Sequence, residues 1–211
     1  LNADDGFPGT RGLVALIIVV AVILVAAILS VQIEQTRPTQ LGAAQSSNGQ
    51  YSLTLVEVMD SRWNSTLAQP RFYVLGQNGL ESSANIRLPV HTPILLTIIS
   101  YDTPTPGSEA QYAKVSGTVG GTIFLINGTT AMGTSVNEEW GKNVTSVSVA
   151  SLAHTFSIPQ LGINIPVVGG DTELVHLYLN ESGTFQWLCL TPCGAEAMST
   201  AGWMEGSVTV G

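Results

Sequence analysis

Residues 12–33 run GLVALIIVVAVILVAAILSVQI without one charged side chain. At a helical rise of 1.5 Å per residue these 22 positions cover about 33 Å, enough to cross a hydrocarbon layer of roughly 30 Å. The pattern predicts one transmembrane helix. A cleaved signal peptide has a shorter apolar core, about 7–15 residues, behind a basic segment, whereas Asp4, Asp5 and a single Arg11 precede this one. The helix is therefore expected to be retained. Before it, residues 1–11 form a short polar segment. After it, residues 34–50 hold Pro38, Gly42 and the Ser46-Ser47-Asn48-Gly49 run and read as a flexible linker.

From Tyr51 the period changes from continuous to alternating. Tyr51, Leu53 and Leu55 alternate with Ser52 and Thr54, and Phe72 to Leu75 adds a short apolar run. Residues 93–101 are rich in Ile and Leu and read as a strand buried on both faces; Leu152 to Ile158 and Leu174 to Leu179 read as further strands. Phe185, Trp187 and Cys189 share one face, and Ser207 to Val210 alternate again as a closing strand. No sustained helical period occurs after residue 33, so residues 51–211 are predicted to be an all-β sandwich. Residues 103–148 are loaded with Gly and Thr and hold one hairpin around Thr122 to Ile126. They read as a long insertion, a lid or docking surface. Residues 160–171 read as a loop bearing Gly and Pro.

Composition narrows the function. The net charge of −8 with only seven Lys and Arg excludes the clustered basic surface that nucleic-acid binding requires. Charged residues make up 10% of the chain, against roughly 25% in an average soluble protein, so Ser, Thr, Asn and Gln supply most of the wet surface. Sequons begin at Asn64, Asn127, Asn143 and Asn180. Together they predict an extracytoplasmic glycoprotein. This places the N-terminus in the cytoplasm, since the few charges flanking the helix do not fix its orientation.

Chemistry concentrates between Cys189 and Met204, a loop that opens on one cysteine, carries Cys193 and ends on a methionine. Thiolate and thioether are soft ligands suited to copper, zinc or iron–sulfur. No histidine lies in the loop, and the whole chain has only His91, His154 and His176. His176 alternates with Leu174 and Tyr178 and reads as a packed strand histidine. His91 sits in a turn before Pro93, Met198 is a spare ligand candidate or loop packing, and Trp187 reads as core. No phosphate loop, nucleophile–base pair or paired-carboxylate motif is present, so no catalytic residue is expected in this chain.

Ordered signals carry a resemblance over residues 50–102 and 149–210: Leu88-Pro89 before Ile94 to Ile99; Ala153-His154-Thr155-Phe156 before Gln160-Leu161-Gly162-Ile163-Asn164; Gly183-Thr184-Phe185 leading into Cys189-x-x-x-Cys193-Gly194; and Met204-Glu205-Gly206-x-Val208. These segments resemble the cupredoxin domain of subunit II of heme–copper terminal oxidases. The resemblance implies a cupredoxin-like Greek-key sandwich behind a single N-terminal helix. It places His154 on the family's first copper histidine, Cys189 and Cys193 on its bridging cysteines, and Thr191 on its carbonyl ligand. Its second histidine falls on Ala197 and its methionine on Thr200, with Met204 four residues further on.

The resemblance thus implies a dinuclear copper centre that has been lost, as in the family's quinol oxidases, leaving a docking subunit in a cell-membrane complex. The chain itself is then expected to bind no cofactor, with heme and copper in the heme-bearing subunit I, other membrane subunits as partners, and lipid and quinol nearby. Other readings stay open. Cys189 and Cys193 can be a disulfide or structural thiols, and His154, Cys189 and Met204 can hold a single copper ion in a tethered electron carrier. A polar leader before an uncharged helix and a β domain also describes a pilin-like filament subunit.

Overall fold

The computed structural model describes residues 43–45, 49–60, 69–126 and 141–211. The chain divides into two compact units, Leu1–Thr39 and Gln40–Gly211, and all described residues lie in the second. The expected membrane helix and the sequons at Asn64 and Asn127 fall outside the described residues. Among the described residues no helix is long and apolar enough to cross a membrane.

The described unit is all-β, built from thirteen strands: β1 (Ala43–Gln45), β2 (Tyr51–Asp60), β3 (Gln69–Gly76), β4 (Gly79–Ser82), β5 (Asn85–Leu88), β6 (Pro93–Ser100), β7 (Ile123–Ile126), β8 (Asn143–Val144), β9 (Leu152–Ile158), β10 (Ile163–Val168), β11 (Thr172–Tyr178), β12 (Gly183–Leu188) and β13 (Glu205–Val210). The larger sheet has the order β4-β3-β2-β6-β11-β7-β8, with β1 also on β2; the smaller has the order β10-β9-β12-β13-β5. The chain changes sheet between β4 and β5, β5 and β6, β8 and β9, β10 and β11, and β11 and β12. Sequence neighbours therefore face each other across the core, and β2 pairs β6 in parallel, as β5 pairs β13. These crossings make the sandwich Greek-key-like.

Alternation decides which side chains fill the space between the sheets. Leu53, Leu55, Ile94, Leu96, Ile98, Val175 and Leu177 enter from the larger sheet; Phe156, Ile158, Ile165, Trp187 and Val208 enter from the smaller. The Trp187 indole stacks on Phe156 at 5.3 Å between centroids, meets Phe72 edge-on at 5.7 Å, and donates from Nε1 to the Ser83 carbonyl at 3.0 Å. A buried indole thus has both its apolar faces and its one polar atom satisfied. Gly206 opposite is required for that fit, since a Cβ there would collide with the indole nitrogen and the Ser83 and Ala84 carbonyls.

Four expectations change against the structure. Residues 160–171 are not a loop: β10 pairs antiparallel with β9 from Ile163↔Ile158 onward. Pro166 disguised it, but β10 is an edge strand of the smaller sheet, where a missing N–H is tolerated. His176 is exposed, because the inward face of β11 is Glu173, Val175 and Leu177. β6 buries only one face fully, Ile94, Leu96, Ile98 and Ser100, its other face being half-covered. Residues 43–45, within the stretch read as a linker, form β1 against the start of β2.

The segment read as an insertion packs onto the sandwich where it is described. β7 adds to the larger sheet beside β11 and pairs with β8, and Ala113, Ile123, Leu125 and Val147 join the buried core.

Candidate metal centre

Three parts of the fold meet at one end of the sandwich. β9 supplies His154, the loop after β12 supplies Cys189, Thr191 and Cys193, and the ends of β2 and β6 bring Glu57, Ser100 and Asp102. Local hydrogen bonds fix the loop before any metal is considered. Leu190 N–H donates to Thr155 Oγ1 at 2.8 Å, Thr191 Oγ1 donates to the Ala153 carbonyl at 3.1 Å, and Cys189 N–H donates to the Met204 carbonyl at 2.8 Å. Pro192 and Gly194, the latter at φ +90°, then turn the chain so that Cys193 faces back toward Cys189.

The result is a compact donor set. The two Sγ atoms stand 2.7 Å apart as free cysteines, and His154 Nδ1 lies 3.1 Å from Cys193 Sγ and 3.8 Å from Cys189 Sγ. The Thr191 carbonyl oxygen is 3.1 Å from Cys193 Sγ and 3.8 Å from Cys189 Sγ. His154, Cys189 and Cys193 are all buried, and their ligand atoms lie within 4.8 Å of one another.

On its other side the imidazole meets carboxylates. Nε2 is 2.9 Å from Asp102 Oδ2 and 3.4 Å from Glu57 Oε1, while Ser100 Oγ donates to Glu57 Oε2 at 2.8 Å. A carboxylate on the far nitrogen fixes the ring's orientation and leaves Nδ1 aimed at the sulfurs, the arrangement that commonly backs a ligating histidine. Phe72 closes the ring edge-on at 6.5 Å.

The electrostatics follow from burial and these contacts. Burial alone would lower the His154 pKa, but Glu57 and the Asp102 hydrogen bond outweigh it and raise it to about 10. Burial raises Glu57 to about 7, partly offset by His154. Burial also raises the Cys189 thiol, yet the hydrogen bonds from Cys193 and His154 and the charge of His154 reverse this and hold it well below the ordinary range. Cys193, donating to Cys189 and desolvated, is pushed far above that range. Without metal the centre is therefore a thiolate, a thiol and an imidazolium sharing protons in a largely buried site.

The donors suit a single copper ion and do not supply a second imidazole. Two sulfurs and one imidazole form the soft, three-donor set that favours cuprous ion, whereas structural zinc takes four protein ligands. A dinuclear centre with two imidazoles is not built. Ala197 is fully buried, and both His91 and His176 lie outside the cluster. Met204 is fully buried, its N–H donating to the Ala197 carbonyl at 3.1 Å. Met198 is exposed instead of packed in the loop. Asn143 and Asn180 are exposed.

Glu57 and Asp102 are the site residues that sequence reasoning missed. A signal for the first existed: Tyr51, Leu53, Leu55 and Glu57 are one face of one strand, so a carboxylate stood at an apolar position. For Asp102 there was none, since it sits where β6 gives way to a turn-rich segment.

No protein-family profile matches the chain, and no curated protein does. Solved structures do. A heme–copper terminal oxidase dimer determined by cryo-EM is 14% identical over 92% of this chain and 96% of that one, with a TM-score of 0.40. The periplasmic domain of subunit II of cytochrome oxidase from Bradyrhizobium japonicum is 11% identical over 76% and 83%, with a TM-score of 0.33. The copper protein rusticyanin is 13% identical over 82% and 88%, with a TM-score of 0.34. Scores this low do not decide the fold, which rests on the strand order above.

Proposed function

We propose that this chain is a cupredoxin-type copper protein of the cell membrane, acting as subunit II of a heme–copper terminal oxidase. One ion at His154, Cys189 and Cys193 replaces the dinuclear centre there. The observation that carries the reading is the single imidazole, braced by Asp102 and Glu57, with Nδ1 3.1 Å from one sulfur of a pair that is itself 2.7 Å apart. These residues hold cuprous ion by two sulfurs and a nitrogen, and the Thr191 carbonyl supplies a weak further oxygen. A bound copper supplies a one-electron centre.

The chain's own residues keep that centre fixed. Phe72, Phe156 and Trp187 pack behind it, and Asp102 holds the ring. Lacking the second imidazole, the domain serves as a docking cap on the heme-bearing subunit, and the complex takes electrons from membrane quinol. The apolar residues 12–33 anchor it in the membrane with the β domain outside.

The test is affinity purification of the tagged chain from detergent-solubilised membranes. Expected are a heme-bearing partner, oxidation of quinol but not of reduced cytochrome c, and one copper per copy of this chain beyond the partner's own. A chain isolated without heme, or carrying two coppers between its sulfurs, overturns the proposal.

A further inference from the structure

A cleft opens from the surface onto the metal centre, and its lining separates the ligands. Met59, Pro70, Asp102, Pro192, Cys193 and His154 all border it. Cys193 and Asp102 are each 7% exposed, while Cys189 and His154 are each 1% exposed. Among the ligands, Cys193 is thus the one an arriving ion meets first. Four prolines, Pro70, Pro104, Pro106 and Pro192, stiffen the lining and present no competing N–H.

Met59 stands at the mouth. It lies two residues beyond Glu57 on the same face of β2, so its side chain belongs to the inward set, yet the core has ended there and it is 45% exposed. An apolar side chain on the inward face gains nothing from being left in water. A thioether at that place is a soft, neutral and weak ligand, able to take cuprous ion and to release it.

Resting on the copper reading above, we propose that Met59 is a transit ligand through which cuprous ion enters the site, handed inward from Met59 to Cys193. In the exchange the bond from the Met59 sulfur to the ion breaks and one from Cys193 Sγ forms. The Cys193 thiol gives its proton to water in the cleft, the His154 imidazolium gives up its Nδ1 proton by the same route before it binds, and the ion stays cuprous, so no electron moves. Cys189 and His154 then complete the donor set from behind. The donor that suits such a mouth is a cuprous ion carried on exchangeable sulfur ligands, not free cupric ion.

The probe is cuprous glutathione, added anaerobically to the reduced full chain in detergent, with loading followed by ultraviolet thiolate–copper absorbance. Met59→Leu keeps the apolar bulk and removes the sulfur. It is expected to load about tenfold more slowly, the loss of roughly 1.4 kcal/mol of transit binding, while its equilibrium affinity in competition with bicinchoninate stays that of wild type. Met59→Leu loading at the wild-type rate overturns the route and leaves the copper site standing. An equal loss of rate and affinity also overturns it, because Met59 would then be a permanent ligand. A wild-type chain that takes up no cuprous ion overturns the site itself.

Discussion

Glu173→Gln should make the protein more stable at neutral pH, and the structure says why. Glu173 enters the core from β11, fully buried. Its Oε1 accepts the Val168 N–H at 2.7 Å, and its Oε2 has no hydrogen-bond partner. Burial raises its pKa well above the carboxylate range; the Val168 N–H opposes this, and Asp171 and Glu57 add to it. The sign follows from proton counting. Above the unfolded carboxyl pKa of roughly 4.3 the unfolded chain has lost this proton while the folded chain keeps it. Unfolding stability therefore falls by up to about 1.4 kcal/mol per pH unit as pH rises, until the folded-state pKa is passed.

Glutamine keeps the acceptor for Val168 and carries no proton to lose, so its own contribution is flat with pH. Glu57, raised to about 7, tilts both proteins in the same direction, so the difference between them reports Glu173 together with its interaction with Glu57. Guanidinium denaturation of the chain in detergent at pH 5, 6 and 7, followed by tryptophan fluorescence, measures the gap. The variant should gain on wild type with each pH unit, by up to about 1.4 kcal/mol, until the folded-state pKa of Glu173 is passed. Parallel profiles, or a wild type that gains with rising pH, would refute the reasoning.

Other expectations share the same geometry. Trp187→Ala should cost about 3–5 kcal/mol by opening a cavity between Phe72 and Phe156, whereas Trp187→Phe should cost about 1–3 kcal/mol, mainly by orphaning the Ser83 carbonyl; chemical denaturation distinguishes them. Gly206→Ala should cost about 1–3 kcal/mol by overpacking and shift the Trp187 emission, because the added methyl meets the indole. Copper uptake at pH 7 should release about two protons per ion, one from the His154 imidazolium and one from the Cys193 thiol, Cys189 already being thiolate. Calorimetry in buffers of different ionisation enthalpy counts them, and a count near zero would contradict the shared-proton state. Asp102→Ala should weaken cuprous binding by about 10–100-fold, read by ligand competition, since the ring then keeps only the longer Glu57 contact at 3.4 Å.

Much of this was written in local pattern. Alternation from Tyr51 onward specifies strands, and a charge-poor chain without helical period specifies a sandwich. The Cys189-x-x-x-Cys193-Gly194 run marks the loop that carries the sulfurs, because ligand spacing within one turn is a property of consecutive residues. The lack of any histidine between Cys189 and Met204 was equally visible.

Contacts between distant segments were not legible that way. Glu57, Asp102, His154 and Cys193 are separated by tens of residues, and no local pattern announces that β2, β6 and β9 end at the same place. β10 was hidden because Pro166 breaks the strand signal, and only its position at a sheet edge makes the proline acceptable. His176 faced outward because one residue of register turns every side chain on a strand to the opposite face. Residue types fixed which donors exist; the pairing of strands far apart in the chain fixed which of them share a proton.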